Sequence, residues 1–369
     1  MISVAVYGST GSIGVQTLNV LRRYPDLFKI ESLSCGNNTD LFKKQVEEFK
    51  PDFCASLSEL NLGSDCLTGK DAIERMAERS NADISVFAIP GTDSVYPLIS
   101  VIKKGKRIAL ASKEALVTAG EIVKCELNRD GAQLIPVDSE HSAIFQCISS
   151  NRKEDIKKII LTASGGPFYG KDLEYLKKVT PAQAINHPTW KMGKKVSVDS
   201  ASMVNKGLEL IEAKYLFDCD NIDYCIHPES IIHGLVEFKD NATISLMSYP
   251  SMELPIQYAL SYPNRLEVCA AKPFDFSKPL TFLEKDEKVF KGPLIAKECI
   301  KKGSYYPAVF SMADEFAVKM FLDSKIIFPE IFDVIDFALS SSYFIPKDID
   351  DIKLLNNKVK EVISAKYSL

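Results

Sequence analysis

Residues 2–14 read ISVAVYGSTGSIG, a short apolar run of β character, Ile2–Val6, feeding a turn with glycine at every third position, Gly8, Gly11 and Gly14. After a strand, glycines of this kind let the backbone close on a pyrophosphate, whose charge the N-terminus of the next helix stabilises. The G-x-x-G-x-x-G spacing is not the commoner G-x-G-x-x-G, and alone it fits a tight turn as well as a nucleotide site. A helix expected to begin near Ile13, and repetition of the strand and helix pattern downstream, favour the nucleotide. A NAD site normally carries Asp or Glu about 20 residues on, at the end of the second strand, to bind the ribose. Here that end reads Ser34-Cys35-Gly36-Asn37-Asn38, without a carboxylate. Nothing there repels a ribose 2′-phosphate, and Asn37, Asn38, Lys43 or Lys44 could donate to it, which favours NADP over NAD. The competing reading is a polar loop that caps a helix starting near Asp40.

Outward from the turn, the apolar runs Ile30–Leu33, Phe53–Leu57, Ile84–Ile89, Arg107–Ala111 and Gln133–Pro136 interleave with amphipathic stretches at Gln16–Arg23, Leu41–Phe49, Ala72–Glu78, Tyr96–Lys103 and Ala115–Asn128. Successive βα units predict an α/β fold whose N-terminal domain, 1–137, is Rossmann-like with a mostly parallel sheet. Between 138 and 272 the runs Lys158–Ala163, Asp223–Ile226, Ile231–Phe238 and Ala242–Met247 accompany a helix-like Met203–Phe217, with hairpin spacing around Lys239-Asp240-Asn241. A second α/β domain with a mixed sheet is expected there. The polar, proline-containing stretch 273–290 reads as a linker. Beyond it, Leu294–Lys302, Ala308–Asp323, Phe328–Ser340 and Ile349–Ala365 have helical spacing, predicting a small C-terminal helical domain over 291–369.

With 46% hydrophobic and 25% charged residues among 369, the composition is that of a soluble globular protein with a sizeable core. A net charge of −4, with no run of five or six like charges, argues against nucleic acid or an anionic membrane as the main partner and leaves small molecules as the default ligands. No apolar run reaches the roughly 18 residues of a membrane span. Nine cysteines without a C-x-x-C pair, and no signal-peptide pattern, fit core thiols in a reducing cytoplasm. With the strand-like run starting at Ile2, directly after Met1, no transit peptide is expected within this sequence.

Three segments carry candidate chemistry. In Asp138-Ser139-Glu140-His141, an extended backbone would aim Asp138 and Glu140 the same way, and two carboxylates held together call for a cation between them. Hard oxygen ligands suit Mg²⁺ or Mn²⁺, whereas a solvated acidic loop or a helix cap from Ser139 is the bland alternative. Asn205 and Lys206 lie four and three residues before Glu209, so on a helix an amide, a cation and a carboxylate converge; an exposed Lys206–Glu209 salt bridge is the competing view. The four histidines, His141, His187, His227 and His233, lack any zinc spacing. The segment 186–193, NHPTWKMG, holds the single tryptophan, Trp190, and suits either a lid over a ligand or a surface loop pinned by that ring. Ser164-Gly165-Gly166 could hold an anion with its amides or merely turn the chain.

Together, GSTGSIG (8–14), SKEALV (112–117), PVDSEHSAIFQ (136–146), TASGGPF (162–168), NHPTWKMGKKVSVDSASMVNKGLELIEA (186–213), HPESIIHG (227–234) and, more weakly, YYPAVFSMADEFAV (305–318) resemble the 1-deoxy-D-xylulose 5-phosphate reductoisomerase family. The resemblance implies that Thr10, Gly11, Ser12 and Ile13 contact the pyrophosphate of NADPH, Gly36, Asn37 and Asn38 its adenosine end, and Ser112, Glu114 and Gly193 further parts of it. It makes Asp138, Glu140 and Glu209 the ligands of Mg²⁺ or Mn²⁺. It places Lys113, Ser139, Ser164, His187, Ser200, Asn205 and Lys206 on the sugar phosphate, with Ser164, Ser200, Asn205 and Lys206 on its phosphate and His233 at its border. Trp190 and Met192 belong to the implied lid, and Lys113, Glu140, His187, Lys206 and Glu209 to the implied catalytic set. The implied reaction is a retro-aldol and aldol rearrangement to an aldehyde, then hydride transfer from NADPH to give 2-C-methyl-D-erythritol 4-phosphate for isoprenoid precursors, in a homodimer.

Three places depart from the family pattern: Asn37, where Arg or Lys is common; Ser112, where Asn is common; and the turn Ala88-Ile89-Pro90-Gly91, which is less glycine-rich. The first weakens the expected 2′-phosphate contact or hands it to another residue. Two other readings compete. A semialdehyde dehydrogenase shares the glycine turn but needs a cysteine with a paired histidine, and Cys225 with His227 is the nearest pair. A nucleotide sensor that lost catalysis would have no need of the carboxylate and lysine set.

Overall fold

The computed structural model describes residues 1–62, 65–186, 190, 192–267 and 272–367. They form two compact units: Met1–Ala115 with Val123–Ser142 and Ser251–Lys272, and Leu116–Ile122 with Ala143–Pro250 and Pro273–Leu369.

In the first unit, strands β1 (Ile2–Tyr7), β2 (Phe28–Cys35), β3 (Phe53–Ser56), β4 (Cys66–Thr68), β5 (Ile84–Phe87), β6 (Arg107–Leu110) and β7 (Gln133–Pro136) form one sheet in the order β4-β3-β2-β1-β5-β6-β7. Every pairing is parallel. Strands β3 and β5 are buried at every position, as strands with covered faces must be, which explains their continuous apolar runs. The chain direction across the sheet reverses between β1 and β5, the switch point where open α/β sheets bind ligands. Tyr7, ending β1, stacks on Phe87, ending β5, with ring centres 4.3 Å apart.

No periodicity in the sequence marks a helix at Glu253–Ser261, yet one forms and belongs to this unit. Gln257 accepts from the Tyr24 hydroxyl at 3.1 Å, Glu253 pairs with Arg23 at 2.7 Å, and Arg107 donates to the Leu260 carbonyl at 3.2 Å. Residues 255–260 are all buried, so this helix shows no amphipathic stripe to read.

In the second unit, β8 (Ile156–Ala163), β9 (Ile222–Ile226), β10 (Ile232–Phe238) and β11 (Thr243–Met247) form the expected mixed sheet, ordered β11-β10-β8-β9. Strand β8 runs parallel to β9 and antiparallel to β10, and the β10–β11 hairpin turns through Asn241 at φ 65°. The parallel pair brackets the helix Val204–Phe217, which packs on both strands. Part of 273–290 docks along β9: His227 Nδ1 donates to the Thr281 carbonyl at 2.7 Å, Leu283 bridges Ile226, and Asp223 pairs with Lys285 at 2.6 Å. The helices Gly292–Lys302, Tyr306–Leu322, Glu330–Ser340 and Ile349–Tyr367 follow, close to the expected bounds. The first of them packs on Val204–Phe217, and buried Phe310, Phe321 and Phe328 anchor the group. No helix among the described residues is long and apolar enough to cross a membrane.

Candidate active site

The glycine turn follows from close backbone approaches. Gly8 has φ +86°, and a Cβ there would lie 2.7 Å from the Ala88 carbonyl oxygen; a Cβ on Gly14 would lie 2.2 Å from the Gly8 carbonyl oxygen. Neither position admits a side chain, which is the physical content of the motif. Second-strand residues hold the turn: the Ser34 hydroxyl accepts from the Gly8 N–H at 3.0 Å, and buried Ser9 exchanges hydrogen bonds with Gln45 at 2.8 and 2.9 Å. The helix Ser12–Arg23 starts straight after Gly11 with no side-chain cap and no acidic residue in its first turn, so its N-terminus presents positive potential. Gly11 and Ser12 are exposed, and Thr10 and Ile13 partly so.

Of the residues expected to contact adenosine, Asn37 is exposed, whereas Asn38 accepts from the Leu41 N–H at 3.3 Å and caps the helix Thr39–Phe49. The capping role foreseen for this loop is present at Asn38. Ser112 is buried, and its hydroxyl donates to the Ile89 carbonyl, tying the Ala88–Gly91 turn to the start of helix Lys113–Asp130. Lys113 and Glu114 lie in the first turn of that helix, both buried.

The segment 138–141 is not extended: a helix, Ser139–Ile148, begins immediately after Asp138, and Asp138 accepts from the Ser139 N–H at 2.9 Å. Asp138 thus sits at the helix entrance and Glu140 in its first turn, where the helix dipole favours carboxylates. Lys113 pairs with Asp138 at 2.6 Å, Ser139 donates to Glu140, and buried His141 lies 3.9 Å from Asp138.

In the second unit, Asn205, Lys206 and Glu209 share one face of helix Val204–Phe217: Asn205 donates to one Glu209 oxygen and Lys206 to the other. Lys206 and Glu209 are 3% and 1% exposed, which overturns the surface salt bridge as the competing reading. Lys206 also donates to the Thr162 carbonyl at the end of β8, fixing the ammonium beside the Ser164 turn. That turn has Gly165 at φ +88° and Gly166 at φ +71°, and a Cβ on Gly166 would lie 2.7 Å from the Ser200 carbonyl oxygen. Ser164 and Ser200 therefore come from two backbones in close approach, while Lys206 is tied to the strand leading into the turn.

Trp190 packs edge-on against His233, ring centres 6.5 Å apart, and His233 Nε2 lies 3.1 Å from the Ser248 carbonyl. Burial lowers the His233 pKa from 6.5 to about 4, so the ring is neutral at pH 7. Met192 is half-buried, and exposed Gly193 precedes the helix Lys194–Ala201. His187 lies outside the described residues. The cysteine route fails on geometry: His227 spends Nδ1 on Thr281 and Nε2 on the Ile231 N–H at 3.2 Å, and burial pushes the Cys225 thiol up. Ser34, Gln45 and Thr162 were not expected as supports, because each acts only through a partner distant in sequence.

Asp138 and Glu140 in the first unit and Glu209 in the second each offer hard oxygen donors, and Asp138 and Glu209 each face a lysine ammonium within their own unit, a sign that both positions favour positive charge. The residues present fit a divalent cation.

Family models described as 1-deoxy-D-xylulose 5-phosphate reductoisomerase, its C-terminal domain, and DXP reductoisomerase C-terminal domain match residues 4–120, 134–217 and 247–362. The chain is 43% identical over 381 residues to the 1-deoxy-D-xylulose 5-phosphate reductoisomerase of Thermoanaerobacter pseudethanolicus, covering 100% of both, and 45% identical over 347 residues to that of Ruminiclostridium cellulolyticum, covering 90% of each. Among solved structures, it is similar to a DOX-P reductoisomerase in complex with NADPH, fosmidomycin and magnesium, with TM-score 0.92 and 32% identity, covering 100% of this chain and 99% of that one. The Zymomonas mobilis 1-deoxy-D-xylulose 5-phosphate reductoisomerase in complex with NADPH gives TM-score 0.92 and 34% identity, covering 99% of each. The chain belongs to the 1-deoxy-D-xylulose 5-phosphate reductoisomerase family.

Proposed function

We propose that the chain carries out the NADPH- and divalent-metal-dependent isomerisation and reduction of 1-deoxy-D-xylulose 5-phosphate to 2-C-methyl-D-erythritol 4-phosphate, in the cytoplasm and as a homodimer, for isoprenoid precursor synthesis. The carrying observation is the buried Lys206–Glu209 pair with Asn205. A buried ion pair is weak evidence of stabilisation, so its retention calls for a use, and a phosphate and a metal supply one.

In this reading Asp138, Glu140 and Glu209 hold the metal, which when bound polarises the substrate carbonyl and stabilises negative charge on its oxygens. NADPH supplies the hydride, bound by Thr10, Gly11, Ser12 and Ile13 at its pyrophosphate, by Gly36, Asn37 and Asn38 at its adenosine, and by Ser112, Glu114 and Gly193 elsewhere. Lys206 presents a point charge to the sugar's phosphate, and Ser164, Ser200 and Asn205 donate hydrogen bonds to it. Lys113 neutralises charge beside Asp138, Ser139 and His187 orient the sugar, and neutral His233 borders it. Trp190 and Met192 close over it and exclude water. The division of labour is cofactor binding in 1–137, catalysis in 138–272, and a linker, 273–290, leading to the helices of 291–369.

The test is NADPH oxidation with 1-deoxy-D-xylulose 5-phosphate, with NADH as control, alongside light scattering for the dimer. Turnover should require NADPH, vanish with EDTA and return with Mg²⁺ or Mn²⁺. No turnover with any divalent metal would favour the nucleotide sensor.

A further inference from the structure

We propose that the Thr92 hydroxyl binds the nicotinamide half of NADPH, an inference that rests on the cofactor reading above. The placement follows from the sheet of the first unit. In that reading the pyrophosphate sits at the glycine turn after β1, and the adenosine at Gly36, Asn37 and Asn38 after β2. Strand β5 flanks β1 on the side opposite β2. A dinucleotide laid across the strand ends with its adenosine beside β2 therefore carries its nicotinamide towards β5, and the segment that follows β5 is 88–94. The glycine turn and this segment are close neighbours. A Cβ on Gly8 would lie 2.7 Å from the Ala88 carbonyl oxygen, and the Ala88 N–H donates to the Tyr7 carbonyl at 2.9 Å.

Hydrogen bonds fix the segment on both sides of Thr92. The Ser112 hydroxyl donates to the Ile89 carbonyl, and the Ser94 N–H and hydroxyl both donate to the Gly91 carbonyl, at 3.2 and 2.7 Å. Gly91 itself has φ +81°, a left-handed turn that leads directly into Thr92. Thr92 is 7% exposed, yet its Oγ1 finds no hydrogen-bond partner among the described residues. A buried hydroxyl without a partner forfeits the hydrogen bonds that water gave it, so it destabilises the fold and calls for a use. If Thr92 only filled space, valine would fill the same shape without that cost. The nicotinamide half supplies the missing partners. Its carboxamide has a carbonyl acceptor and an amide donor, its ribose has hydroxyls, and a threonine hydroxyl can both donate and accept.

The test is calorimetric titration of the full chain, wild type against Thr92→Val and Thr92→Ser, with two ligands. One is NADPH; the other is 2′-phosphoadenosine 5′-diphosphoribose, which keeps the pyrophosphate and the 2′-phosphate but lacks nicotinamide. Thr92→Val should weaken NADPH about fivefold and leave the nicotinamide-free ligand within about 1.5-fold. The melting temperature of the ligand-free Thr92→Val protein should hold or rise, because the hydroxyl removed has no partner in the fold. Thr92→Ser keeps the hydroxyl and should bring NADPH affinity back to within about twofold of the wild type. Equal NADPH dissociation constants in Thr92→Val and the wild type would overturn the assignment. An equal loss for both ligands would overturn it too, since that marks a disturbed turn rather than a lost contact. A wild type that binds NADPH yet fails to turn over 1-deoxy-D-xylulose 5-phosphate would sink the proposed reaction and leave Thr92 decided by the titrations. One that binds no NADPH would overturn both.

Discussion

In the proposed function, the glycine turn at 8–14 and the helix at 204–217 would bind anions by opposite means. The turn uses backbone alone: Gly8 and Gly14 remove side chains where carbonyls approach, and an uncapped helix N-terminus offers partial positive charge. The helix uses side chains, a lysine and a glutamate sealed at 3% and 1% exposure with an asparagine beside them. Backbone recognition demands small residues at fixed spacing and suits a cofactor part shared by many enzymes. Buried charge demands a surrounding fold and suits one particular substrate.

The comparison breaks first at Glu209. Glu209→Gln leaves Lys206 without its buried counter-charge and removes a proposed metal ligand, so kcat should fall at least about 10³-fold, roughly 4 kcal/mol, with NADPH affinity within about twofold. Near-normal activity with Mg²⁺ would remove Glu209 from the metal. The reciprocal change, Gly14→Ala, drives a Cβ to 2.2 Å from the Gly8 carbonyl oxygen and should weaken NADPH about 100-fold, roughly 3 kcal/mol, in a fluorescence titration. An unchanged dissociation constant would show that the turn tolerates a side chain after all.

A third measurement probes burial in the second unit. The folded pKa of His233 is lowered to about 4 from 6.5, so its neutral form is favoured in the fold; its contribution is full above about 6.5 and is lost as pH falls towards 4. Denaturant stability should drop by up to about 1.4 kcal/mol per pH unit across that window, and His233→Asn should flatten the slope. An identical slope in the variant would assign the acid sensitivity to other groups. The smallest effect is expected at Asn37, exposed at the end of β2: Asn37→Arg adds a charge-assisted partner for a 2′-phosphate and should tighten NADPH about fivefold without changing NADH. Equal affinities before and after would take this residue out of the cofactor site.

Much of the first unit was legible in the sequence because its strands are short, apolar and separated by amphipathic helices. The exceptions have physical causes. Strand β4 has three residues, too few for a period, and only half-buried ones. Helix Glu253–Ser261 is buried nearly all round and carries Pro255 in its first turn, so it shows no stripe, and its partners Tyr24 and Arg107 lie more than 150 positions away. The helix at Ser139 is not marked in the sequence, because two carboxylates two residues apart also suit an extended segment. At the site, the i,i+4 and i,i+3 spacing of Asn205, Lys206 and Glu209 was readable, but the same spacing describes a routine surface pair.

By itself the sequence determined the parallel nucleotide-binding sheet, the glycine turn and the helical spacing of the amide, lysine and carboxylate, because these are properties of neighbouring residues and of backbone sterics. Burial belonged to the tertiary structure. Only the folded chain sealed Lys206 against Glu209 and Thr162, held the turn by Ser34 and Gln45, and brought Asp314 to Lys195. Solvent exclusion is set by what packs around a residue, and the packing partners are contributed by segments that periodicity along the chain does not connect.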